Sequence, residues 1–193
     1  MKILQDHKLT IAAGVSLTLI LMVIGIQTTI AGGASYEGID PFGLARFGHI
    51  LAGITWIGLL YYFNFVQVPS LGNVSAETKA DLFKEGSVVR RALWWFRWGA
   101  MFTLIFGLAL FAELGADAGW DIRIAATFGI IMWFNVWFII WPAQKKVIGM
   151  VEASADEKAA AGKRALMASR INTLLSIPML MFMVSSAHFP IFH

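Results

Sequence analysis

The chain contains no cysteine. That excludes disulfides, thiolate metal sites, iron–sulfur clusters and covalently attached c-type haem, which needs Cys-x-x-Cys-His. Charge is also scarce. Asp, Glu, Lys and Arg make up 14% of the 193 residues, against about 25% in a soluble domain. Histidine is scarcer still, with four in the whole chain. What fills the space is apolar: 58% of residues are hydrophobic and the mean hydropathy is +0.70. This is the composition of an integral membrane protein. The net charge of +3 is small, no nucleic-acid partner is expected, and the distribution of charge says more than its sum.

Crossing a hydrocarbon core of about 30 Å takes about 20 helical residues. Five stretches reach that length, at about 9–31, 44–67, 93–113, 121–141 and 170–189. The sequence therefore predicts an all-α bundle of five transmembrane helices in a single domain, 1–193. Of the 15 basic residues, 13 fall on one side: Lys2, Lys8, Lys79, Lys84, Arg90, Arg91, Arg97, Lys145, Lys146, Lys158, Lys163, Arg164 and Arg170. Only Arg46 and Arg123 fall on the other. The positive-inside rule then places the N-terminus in the cytoplasm and the C-terminus outside. The first apolar run exceeds the 7–15 residues of a signal-peptide core, so it is expected to stay as an anchor.

No internal repeat or low-complexity tract is evident along the chain. Ser75 is placed to cap a short polar helix along the inner surface. "SADE" is a capping box in which Ser154 caps and Glu157 reaches back. The Ala-rich stretch after it predicts a last helix that starts in the cytoplasm, with a kink at Pro178. Trp94, Trp95, Trp98, Trp120 and Trp141 fall near the interfaces and read as an aromatic belt. Trp133, Trp137 and Trp141 form one packing stripe. Met179, Met181 and Met183 are fillers of an apolar helix rather than a copper site.

Two of the four histidines lie within or at the edge of spans, His49 and His188. At 1.5 Å per residue, His49 is about 8 Å inside the outer boundary, and His188 leaves the membrane at that boundary. Helices of opposite direction thus bring both to one leaflet, as two axial ligands or as a ligand and a hydrogen-bonding partner. Gly48, Ala52 and Gly53 clear room beside His49, and Trp56 on the same face offers a wall. A b-type haem needs an apolar slot and imidazole ligation but no cysteine. Arg46 and Arg123 are placed to pair with its propionates. The alternative is that the glycines serve close helix packing and His49 bonds a neighbouring carbonyl. Nearer the inner face, Asn64, Arg97, Asn135, Arg170 and Asn172 form a polar layer. It reads as interhelical glue, or else as an anion, propionate or quinone-headgroup site.

The segments "HILAGITWIGLLYYFNFVQVPS", "ALWWFRWGAMFTLIFG", "FNVWFIIWPAQKK" and "SRINTLLSIPMLMFMVSSAH" resemble, in order, the membrane part of bacterial membrane-bound urate oxidases, the urate oxidase N-terminal domain family. The resemblance covers about 44–188. More loosely, His49-x-x-Ala52-x-x-x-Trp56-x-Gly58 is similar to the start of membrane protoporphyrinogen oxidases, in which the corresponding histidine binds haem, and of copper-resistance membrane proteins. The resemblance implies a haem-associated bundle that passes electrons. Members assigned as urate oxidases continue into further helices and a c-type cytochrome domain, which the cysteine-free chain lacks.

Three functions follow as expectations. The first is a haem b electron-transfer protein with His49 and His188 as ligands, working with a cytochrome c or a larger membrane complex. The second is an accessory subunit that binds membrane lipid or a respiratory or oxidase complex, or self-associates as a homo-oligomer, without redox chemistry. The third is a urate oxidase served by a separate cytochrome; no general base outside the membrane is visible for it.

Overall fold

The computed structural model describes residues 2–192. Two compact units divide the chain, Met1–Asp40 and Pro41–His193. Helices and their connectors make up both, with no strand among the described residues. Among the described residues five helices are long and apolar enough to cross a membrane, as the composition predicts.

In the first unit one helical turn, Lys2–Gln5, precedes helix α1, His7–Ala31. Asp6 caps α1 by accepting from the Lys8 backbone N–H at 2.8 Å. Within the apolar run of α1, Thr18, Thr28 and Thr29 turn their hydroxyls onto its own carbonyls, Thr18 onto Gly14 and the other two onto Gly25. That removes bare polar groups from a helix that is apolar all round. No residue of α1 is buried within the protein. Such a surface is stable only against lipid tails or another apolar helix.

The second unit has four long helices and one short surface helix. Helix α2 is Pro41–Leu71. The surface helix α3 is Ala76–Phe83, capped by Ser75 on the Thr78 N–H. Helix α4 is Val88–Leu114 and ends in a tight turn, Gly115–Asp117. Helix α5 is Trp120–Val147. Helix α6, Ala155–His188, opens on the expected capping box and runs unbroken through Pro178.

Antiparallel pairs α2–α4 and α5–α6 pack as two hairpins, closed into a bundle by α4 on α5 and α6 on α2. Their core joins Trp56, Leu60, Phe63, Phe96, Ala100, Met132, Val136 and Met179. Small residues set the approach of α2 to α4. A Cβ on Gly99 would lie 3.2 Å from the Trp56 backbone nitrogen, and one on Gly48 would lie 2.8 Å from the Phe106 ring. Arg90 ties both basic connectors to the start of α4, donating to the carbonyls of Phe83 and Ile148.

The backbone reveals a repeat that the linear reading misses. Both α2 and α5 widen into six residues of π-helix, Tyr62–Gln67 and Asn135–Ile140. Each is followed by one residue and a proline, Pro69 and Pro142. Proline offers no N–H to the carbonyl four residues back and its ring collides with it. The wide turn moves that carbonyl aside and bonds five residues back instead, Val68 N–H to Phe63 O and Trp141 N–H to Val136 O. Beyond the prolines, "SAETKA" at 75–80 matches "SADEKA" at 154–159, and Arg91-Ala92-Leu93 with Arg97 matches Arg164-Ala165-Leu166 with Arg170. The connectors differ in how their spacing is divided, which hides the similarity at constant offset.

Candidate functional site

His49 stands in the early part of α2, and His188 is the last residue of α6. Both lie at the bundle end away from the basic connectors. His49 is half-buried and its ring faces α4. Its Nδ1 is 2.9 Å from the Thr103 carbonyl oxygen. A carbonyl oxygen only accepts, so Nδ1 carries the hydrogen, and the neutral ring leaves its lone pair on Nε2. This is how proteins orient a ligating imidazole: one nitrogen is pinned by a backbone carbonyl while the other is kept basic.

The seat of that ring is Gly107, which sequence reasoning missed. A Cβ at 107 would lie 2.9 Å from Cε1 and 3.2 Å from Nδ1 of His49. The only signal in the sequence is a glycine inside an apolar helix, "LIFGLAL". Thr103 is buried and donates its own hydroxyl to Gly99 O at 2.7 Å, while its carbonyl oxygen, with two lone pairs, takes the imidazole.

The other expected contributors are dispersed. Gly48 meets Phe106, and Gly53 faces the Thr103 methyl at 4.0 Å for an added Cβ. The small-residue face of α2 is thus occupied by α4. Trp56 is 2% exposed within the core. Its Nε1 has no hydrogen-bond partner among the described residues. Arg46, one turn before His49, is exposed. Arg123 is tied to its own turn, donating from Nε to Ala118 O at 2.7 Å. Among the described residues no hydrogen bond joins His49 to His188, and no group of three or more His, Asp or Glu side chains is arranged to hold a metal. Axial haem ligation requires no such group.

His188 itself is exposed, but a buried acid controls the chain around it. Asp121, in the first turn of α5, is 2% exposed. Its carboxylate accepts from Ser185 Oγ at 2.8 Å, Ile191 N–H at 2.7 Å and Phe192 N–H at 3.0 Å. One carboxylate therefore clasps the chain on both sides of His188. Its position at a helix N-terminus favours the negative charge.

The polar layer resolves into separate pieces. Asn135 donates to Asn172 Oδ1 at 2.8 Å, and Asn172 donates to Met132 O at 2.9 Å. Asn64 donates to Leu60 O and Ser169 Oγ. Tyr61 shares a 2.9 Å hydrogen bond with Ser176. These are the interhelical links expected of glue. Arg97 stands apart, its guanidinium 3.4 Å above the Trp141 ring centroid. Arg170 is exposed.

Compared with known proteins, residues 113–193 match the family described as urate oxidase N-terminal. No curated protein and no solved structure matches the chain. The matched residues take in α5 and α6 with Asp121, Arg123 and His188. They agree with the resemblance that the motifs carry, and His49 lies before them.

Proposed function

We propose that the chain is a b-type haem-binding electron-transfer protein of the bacterial inner membrane, resembling the membrane part of urate oxidases. The five spans and the family match at 113–193 fit such a membrane part. The observation that carries the haem reading is the His49–Thr103 hydrogen bond. It leaves Nε2 as the free donor atom of an imidazole already held in place by Gly107.

In this reading His49 would hold the haem iron through Nε2, with its tautomer fixed by the Thr103 carbonyl. When bound, haem iron takes and gives one electron at a time. His188 is the candidate second ligand, at the same end of the bundle and steadied by the Asp121 clasp. Arg46, one turn from His49, and Arg123 offer cations to the propionates. Gly53 and Trp56 shape α2 behind His49 through packing. The partner is a separate cytochrome c or a larger membrane complex.

The distribution of basic residues supports a cytoplasmic N-terminus and an outer C-terminus. A single cysteine introduced in the 148–153 connector is then expected to react with an impermeant maleimide only after the membrane is opened. Labelling of intact cells would reverse the orientation.

A second reading, an accessory subunit without redox chemistry, is favoured by one observation: the small-residue face of α2 is filled by α4. A spectrum separates the two. Purified protein should show a reduced-minus-oxidised b-type band, lost in His49→Ala with the fold retained. Folded but colourless protein that gains no band on haem addition would sink the haem reading and leave the accessory subunit.

A further inference from the structure

We propose that Arg97, Lys145 and Trp141 form a binding site for the phosphate of an anionic membrane phospholipid, at the connector end of the bundle. Two cations share one ring. The Arg97 guanidinium carbon is 3.4 Å from the Trp141 ring centroid and the Lys145 ammonium 5.9 Å from it. Both side chains are half-buried. Neither has a carboxylate partner: the ion pairs among the described residues are Lys84–Asp81 and Lys146–Glu157. Of the five N–H donors of Arg97, one is taken, by Leu93 O at 3.0 Å.

A further unpartnered donor lies on the same helix, one turn before Trp141. Trp137, on the π-helical segment just before Trp141, has a buried Nε1 with no partner among the described residues. Its ring packs edge-on at 5.9 Å against Trp98, the residue after Arg97. Two cations with no carboxylate partner thus flank Trp141, and an unpartnered indole N–H lies one turn before it on α5. Each cation is partly withdrawn from water without a counter-charge, and a bound anion would supply one. The flat guanidinium suits a phosphodiester, which it can bond through two parallel N–H groups.

The surroundings select a lipid. Trp94, Trp95 and Trp98 are exposed beside Arg97 and pack on one another, as interfacial tryptophans do at headgroup level. Phe102 continues the exposed aromatic surface along α4 from Trp98, offering an acyl chain a bed. Arg170, which matches Arg97 in the repeat, supplies the internal control: it is exposed and packs on no ring described here.

Native mass spectrometry of the full-length protein, delipidated and titrated with phosphatidylglycerol or phosphatidylcholine, tests this. Wild type should retain phosphatidylglycerol about tenfold better, the worth of roughly 1.4 kcal/mol. Arg97→Gln and Lys145→Gln should each erase most of that preference, while Arg170→Gln and His49→Ala keep it. Lys145 lies in the last turn of α5, so its variant remains informative if Arg97→Gln does not fold. Four outcomes would overturn the proposal. Unchanged preference in Lys145→Gln is one. Equal loss in Arg170→Gln, which means diffuse charge attraction, is another. The third is displacement of the lipid by millimolar inorganic phosphate, which makes the site one for a free anion. Loss of lipid in His49→Ala would also overturn it by joining these cations to the haem reading, whereas failure of the haem reading alone leaves the lipid result standing.

Discussion

The imidazole of His49 on α2 lies so close over Gly107 on α4 that a methyl group there would sit 2.9 Å from the ring carbon Cε1. The ring is therefore held from two sides, by the missing side chain beneath it and by the Thr103 carbonyl at 2.9 Å. One turn of α4 separates these two supports.

Gly107→Ala should force the ring off its seat. Overpacking of this kind costs about 1–3 kcal/mol, so thermal unfolding in detergent is expected to begin at lower temperature. If His49 ligates haem, the same variant should shift or weaken the b-type band while leaving the protein folded. A variant with the wild-type melting temperature would show that α2 and α4 separate there without penalty.

Asn172 is fully buried and bonds both Asn135 and the Met132 carbonyl. Asn172→Leu should cost about 1–3 kcal/mol, because the Asn135 amide is left buried without its acceptor. Replacing both asparagines by leucine should cost less than the two single changes added together. A double-mutant cycle on chemical unfolding measures the difference. Additive costs would mean that the two amides do not act as a pair.

Asp121→Asn keeps the shape of the clasp but turns one acceptor into a donor facing the Ser185 hydroxyl or the backbone N–H groups of Ile191 and Phe192. The segment after His188 should loosen. Its amides should exchange with deuterium at least about tenfold faster, equivalent to about 1.4 kcal/mol of local opening. Exchange confined to wild-type rates would mean that the carboxylate charge is not needed to hold the chain there.

Much of the fold was legible before any coordinate. Mean hydropathy and run length are additive properties of residues, so the five spans, the Ser154–Glu157 box and the long α6 could be read directly. The repeat was harder. Its marks are two prolines, two capped "SA" segments and two Arg-Ala-Leu starts, divided by connectors of unequal design, and only the matching π-helical segments make them correspond. The seat of His49 was harder still. Gly48, Ala52 and Gly53 announced a close approach on α2, but that approach proved to be to α4.

By itself, the sequence determined that this protein lives in a membrane, how many times it can cross, where its helices are capped, and that thiol chemistry is excluded. Those follow from transfer free energies and local backbone preferences, which depend on neighbours along the chain. Which nitrogen of His49 is pinned, that Gly107 makes its room, that Asp121 holds the chain around His188, and that Arg97 and Lys145 share Trp141 were decided only by tertiary structure. Helix rotation sets them, and rotation is the outcome of packing between residues 44 to 71 positions apart, which no local pattern encodes.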